Sequence, residues 1–138
     1  MSQWVFYTML SMVLYGVWAF VGKLATNYVN SQSVLLFQVI GGVLVSFAVL
    51  AHTGFKLQIT NLGVVYGLLF GIMGTAATFL FVKALAEADA KAGVVTIINA
   101  LYPGVTLMLS MIFLGEHITL KQGLGIVMAA GAIFLLVS

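Results

Sequence analysis

The segment AKAGVVTIINALYPGVTLMLSMIFLGEHITLKQGLGIVMAAGAIFLLVS, residues 90–138, decides the fold class. It holds two long apolar runs, Gly93–Gly115 and Leu120–Val137, parted only by Glu116-His117-Ile118-Thr119. A helix crosses a ~30 Å hydrocarbon layer with ~20 apolar residues, and runs of this length are too long for a strand. Lipid offers the backbone no hydrogen-bond partners, so both runs read as spanning helices.

Upstream, the same pattern recurs as Trp4–Gly22, Ser33–Ala51 and Leu62–Val82. The breaks are polar: Lys23 with residues 26–33, then His52-Thr53-Gly54-Phe55-Lys56, then Lys83 and the charged stretch from Glu87 to Lys91. The first run is read as a helix rather than a cleaved leader. Met1-Ser2-Gln3 carries no Lys or Arg, and no small-residue cleavage pattern follows. The expectation is an all-α membrane protein with one transmembrane domain over residues 1–138 and helices at about 4–22, 33–51, 62–82, 93–115 and 120–137.

Composition agrees. Of the 138 residues, 63% are hydrophobic and 6% charged, whereas soluble domains carry about 25% charged residues. Five spans consume ~100 residues and leave fewer than ~40 for loops and ends, so no soluble catalytic domain fits beside them. Net charge is +2, the cations are all Lys and scattered, and nucleic-acid binding has no support. Cysteine is absent, which excludes disulfides, thiolate metal sites and a cysteine nucleophile. His52 and His117 lack metal-ligand spacing, and no nucleophile–base pair is visible. The expectations are no enzyme, no metal and no cofactor.

Loops of about 4–11 residues make sequential helices antiparallel neighbours, and an odd number of spans separates the termini. The amino-terminal side then holds Lys56, Lys121 and the α-amino group, and the other side Lys23, Lys83 and Lys91. That balance gives insertion almost no direction.

Polar and small residues fall on single helical faces. The first helix carries Thr8, Ser11, Tyr15, Trp18 and Gly22; the second carries Gln38, Gly42 and Ser46. The third carries Gly63, Gly67 and Gly71 and continues through Thr75 and Thr78; the fourth carries Thr96, Asn99, Pro103, Thr106 and Ser110. The three glycines suit close helix packing. Gln38 and Asn99 need partners in hydrocarbon, either across helices or from a solute. Tyr15 and Trp18 lie inside their span, where cavity lining and buried packing are both open. Pro103 deletes the amide donor to the carbonyl of Asn99 and bends the helix there, either as a hinge at a solute site or as a structural kink. Lys23 and Lys83 close their helices, and each reaches inward or snorkels to the headgroups. Glu87, Asp89 and Lys91 read most simply as a solvated loop, and a Glu87–Lys91 pair at helical spacing would be worth little.

These motifs resemble an EamA domain of the drug/metabolite transporter superfamily. The signs are Tyr102-Pro103 within a helix, then Leu114-Gly115-Glu116, then a Gly-rich last helix after Lys121-Gln122. Leu14-Tyr15-Gly16-Val17-Trp18 through Lys23, Gly74-Thr75 and Ala84-Leu85 agree with its earlier helices. The resemblance implies secondary transport of small organic metabolites, usually export, by alternating access without nucleotide hydrolysis. It also implies a missing half, because most members carry two five-helix repeats of opposite topology and this chain carries one.

From this reading, the substrate-binding candidates are Tyr15, Trp18, Lys23, Gln38, Lys83, Asn99 and Tyr102, with Pro103 as hinge and Gly63, Gly67 and Gly71 as packing residues. Glu116 matches the family's helix-four end, with a structural role or proton coupling both open. The expected partners are a small-molecule substrate, the lipid bilayer and a second copy in antiparallel arrangement. The expected location is a bacterial or archaeal cell membrane. Two other functions stay open: a subunit of a lipid-linked-sugar flippase, and a non-transporting assembly protein.

Overall fold

The computed structural model describes residues 3–137, with side chains through residue 135. Its elements are α1 Gln3–Thr26, α2 Ser31–His52, α3 Asn61–Ala86, α4 Ala92–Asn99, α5 Tyr102–Phe113 and α6 Leu120–Val137. No strand occurs among the described residues. Four stretches are long and apolar enough to cross a membrane: Gln3–Thr26, Ser31–His52, Asn61–Ala86 and Ala92–Phe113. A shorter apolar helix follows at the carboxyl end.

The first three helices run further than the hydrophobic pattern implies. Lys23 and Lys83 therefore lie within α1 and α3 rather than beyond their ends. Hydropathy marks where apolar side chains stop, whereas the helix continues until its last carbonyls find other partners. The fourth expected helix, 93–115, is two helices separated at Ala100 and Leu101. Pro103 is the physical reason. It has no N–H for the Asn99 carbonyl and occupies the first turn of a new helix, where a missing donor costs nothing. Tight bonds bridge the break, from Leu101 N–H to the Ile98 carbonyl at 3.2 Å and from Gly104 N–H to the Leu101 carbonyl at 2.9 Å.

Side-chain caps start α2, α3 and α6, whereas α4 opens at Lys91 without one. Asn30 Oδ1 accepts from the Ser33 N–H at 2.9 Å to open α2, and Thr60 Oγ1 accepts from the Gly63 N–H at 3.2 Å to open α3. Thr119 and Gln122 form a reciprocal capping box for α6: Thr119 N–H donates to Gln122 Oε1 at 2.8 Å, and Gln122 N–H donates to Thr119 Oγ1 at 3.3 Å. The solvated loop expected at Glu87, Asp89 and Lys91 is found, with all three residues exposed. Glu87 is the extended C-cap of α3 and Lys91 the N-cap of α4, so no helix joins them.

The chain divides into two compact units, Met1–Ala88 and Asp89–Ser138. In the first unit α3 packs against both α1 and α2. Trp18 stacks on Phe81, and a Cβ built on Gly22 would lie 3.5 Å from Leu85 Cδ1. The constant offset between these pairs makes α1 and α3 parallel, with α2 returning between them in sequence. The buried residues Ala19, Ser31, Val34, Phe81, Val82 and Leu85 all lie where the ends of α1 and α3 meet the start of α2. The first half of α3 is exposed throughout. In the second unit α4 packs against α6.

Candidate functional site

Lys23 makes the one hydrogen bond between helices that a side chain contributes among the described residues. Its Nζ donates to the Leu85 carbonyl at 2.7 Å. That carbonyl belongs to the last turn of α3 and has no intrahelical donor, so the lysine satisfies it while tying α1 to α3. Lys23→Met should lower the stability of the detergent-solubilised protein by about 1–3 kcal/mol, because it leaves a buried acceptor unpaired. A thermal melt that matches wild type would contradict this role.

Above that tie lies a cavity of about 270 Å³, lined by Trp18, Gly22, Phe37, Gln38, Phe81 and Leu85 among others. Its walls are aromatic and aliphatic. Trp18 and Phe81 stack with centroids 5.2 Å apart and planes 14° apart, and Tyr15 meets Trp18 edge-on at 6.2 Å. Gln38 is half-buried and its amide makes no hydrogen bond among the described residues. Trp18 stands about 12 Å from the end of α1 at 1.5 Å per residue, well inside the span. A flat apolar group between these walls would meet one free amide, which suits a small organic solute with a polar edge.

The other candidates are placed separately. Lys83 is exposed on the last turn of α3 and faces a different cavity, described below. Asn99 and Tyr102 flank the break in the second unit, both exposed. The Asn99 amide has no partner among the described residues, so the break presents a free side-chain amide and a backbone carbonyl without its helical donor.

Gly67 and Gly71 have no close packing neighbour among the described residues. A Cβ at either would meet no atom within 4 Å, and one at Gly63 would meet only its own cap, Thr60 Oγ1, at 2.7 Å. The hydroxyls of the polar stripes turn back onto their own helices. Thr8 donates to Trp4, Ser46 to Gly42, Thr78 to Gly74 and Thr96 to Ala92, each to a carbonyl four residues earlier. Glu116 lies in the loop after α5, where its N–H donates to the Ser110 carbonyl at 3.3 Å beside Gly115 at φ +64°.

Phe81, Leu85 and Glu87 were not legible as site residues. Nothing in the periodicity of α3 distinguishes Phe81 from its apolar neighbours. Only the parallel pairing with α1 brings it onto Trp18.

A spanning helix broken at a proline, beside an unpaired amide, is an arrangement that transporters place at their solute sites. A model of the EamA-like transporter family matches residues 2–138. The chain belongs to that family. Comparison with curated proteins and with solved structures finds no match. The match covers a single EamA domain, which fits membership of the drug/metabolite transporter superfamily. The five apolar stretches correspond to one half of a family transporter, and the chain is an integral membrane protein.

Proposed function

We propose that this EamA-family chain is a secondary transporter, an exporter of small organic metabolites, that works by alternating access without nucleotide hydrolysis or other enzymatic chemistry. The observation that carries the reading is the break at Ala100–Leu101 in the fourth apolar stretch, which leaves the Asn99 carbonyl without its helical donor and the Asn99 amide free. Trp18, Phe37 and Phe81 supply an aromatic wall with Gln38 as a second free amide, and Tyr15 meets Trp18 from outside that lining. Asn99 and Tyr102 supply polar contacts at the hinge, and Pro103 keeps the two half-helices separable. Reconstituted into liposomes, the protein is expected to move labelled metabolites across the bilayer with no ATP present. Folded protein that moves no member of an amino-acid, nucleoside and organic-cation panel would contradict the reading.

The working unit in this proposal is an antiparallel homodimer in the cell membrane of a bacterium or archaeon. One domain supplies half of an inverted-repeat transporter, and a second copy inserted the opposite way supplies the other half. The open Gly63–Gly71 face of α3 is the seam. Gly67→Leu should therefore cut dimer yield in detergent several-fold, whereas Gly16→Leu should leave it unchanged. Neither glycine has a neighbour within 4 Å inside the chain, so a clash with its own fold cannot explain a difference. Equal dimer yields from the two variants, measured by cross-linking, would remove the seam from the account.

A further inference from the structure

The unit Met1–Ala88 holds a second cavity of about 580 Å³, set between the α1–α2 turn and the last turn of α3. It shares only Val29 with the aromatic cavity. Its lining is about half polar, whereas the first is almost wholly apolar, and it carries one cation and one anion, Lys83 and Glu87. Among the described residues neither side chain makes an ion pair or a hydrogen bond.

Ser31, also in the lining, is only 9% exposed, and its hydroxyl makes no hydrogen bond within the chain. No side-chain oxygen or nitrogen among the described residues is sealed away without a partner. The Ser31 oxygen is therefore not sealed off, and Ser31 lines this cavity. A hydroxyl this buried gains from a ligand that bonds it.

The helix ends add fixed charge of both signs. The first N–H groups of α2, at Ser31 and Gln32, have no intrahelical acceptor, and no acid occupies that first turn. They and Lys83 favour an anion. The carboxyl end of α3 favours cations; Lys23 already takes the Leu85 carbonyl there, and the C-cap is Glu87, an acid set against the helix dipole. An acid in that place does not serve α3; it strengthens a second pole that attracts positive charge. The cavity is thus bipolar.

Its level is the membrane surface, because it lies where two spanning helices end and a third begins. Tyr28, 86% exposed on the intervening turn, suits that aromatic belt. We propose that this cavity binds the headgroup of a zwitterionic phospholipid, with the phosphate held by Lys83, Ser31 and the α2 amino end, and the primary ammonium held by Glu87. The site is independent of transport: a chain that bound the headgroup and moved no solute would leave it standing.

Native mass spectrometry of the detergent-purified protein, titrated with single lipids, tests the proposal. Phosphatidylethanolamine should be retained about tenfold more tightly than phosphatidylglycerol, which has the phosphate but no ammonium. Glu87→Gln should erase that preference, and Lys83→Gln should weaken both lipids. Lys56→Gln, outside the cavity, should change neither. Both cavity side chains are exposed and unpaired, so the variants should melt as wild type does. Equal retention of the two lipids, or unchanged selectivity in folded Glu87→Gln, would overturn the proposal. Binding of soluble phosphoethanolamine with the same dependence on Lys83 and Glu87, in protein that retains no phosphatidylethanolamine, would assign the cavity to a free zwitterion and overturn the lipid assignment.

Discussion

Asn99→Leu should reduce solute flux in proteoliposomes to below about a tenth of wild type while leaving the dimer intact, the size expected when ~1.4 kcal/mol or more of solute contact is lost. The amide is free in the folded chain, so the helices lose no hydrogen bond when it goes. Leucine is larger, but Asn99 is exposed among the described residues and leucine has the better helix propensity, so α4 should still form. What disappears is a donor and an acceptor at the end of a broken spanning helix, where a desolvated solute group needs both. Pro103 remains in place, and with it the break. Loss of the dimer together with flux would instead make Asn99 a packing residue between chains. Wild-type flux in a folded dimer would remove it from the solute path.

The second large effect is on stability. Leu85→Ala should cost about 2–5 kcal/mol, read from thermal or denaturant unfolding in detergent. Leu85 is 0% exposed, and its carbonyl takes the Lys23 ammonium. Association of helices in lipid gains little from apolar burial itself, so the loss is chiefly one of van der Waals contact around a new void. The void would open onto the aromatic cavity that Leu85 lines, leaving its neighbours little scope to close over it. Phe70→Ala is the control. Phe70 is 84% exposed within the described chain, and truncating it should change stability by less than about 0.5 kcal/mol unless the second copy covers that face. A Leu85→Ala protein as stable as the Phe70→Ala protein would mean that the α1–α3 contact is not what holds this unit together.

Much of this architecture is legible in the residues. Runs of about 20 apolar residues bounded by Lys, Asn and Gly permit spanning helices and little else, and the order of Tyr102-Pro103, Leu114-Gly115-Glu116 and a Gly-rich tail points to the family. Pro103 is visible in the sequence as the place where the fourth helix yields, and two residues of tight turn, Ala100 and Leu101, separate α4 from α5 there. The bounds of the first three helices were set too narrowly, because Lys23 and Lys83 are polar enough to end a hydropathy run without ending a helix.

Pairing was not legible. Trp18 meets Phe81 because α1 and α3 run parallel, and that contact depends on how both helices are rotated, which one helix's periodicity does not encode. The Thr119–Gln122 capping box is legible as T-x-x-Q, although Gln122 enters the family motif only as part of the Lys121-Gln122 pair before the Gly-rich helix. The solvated loop at Glu87, Asp89 and Lys91 is legible from its charges, although the spacing of Glu87 and Lys91 also suits a helical pair. The chain leaves the helix at Glu87 itself, so the spacing carries no meaning there.

The central claim is that this transporter is built from two copies of one chain inserted in opposite directions. The chain contains no cysteine, so single cysteines at Asn27, on the α1–α2 turn, and at Thr53, after α2, report the two ends of the same unit. In intact cells each position should be labelled about equally by a membrane-impermeant maleimide from outside and, after permeabilisation, from inside, as charge-balanced insertion requires. Labelling of Asn27→Cys from one side only, with Thr53→Cys from the other side only, would fix a single orientation and contradict the antiparallel homodimer.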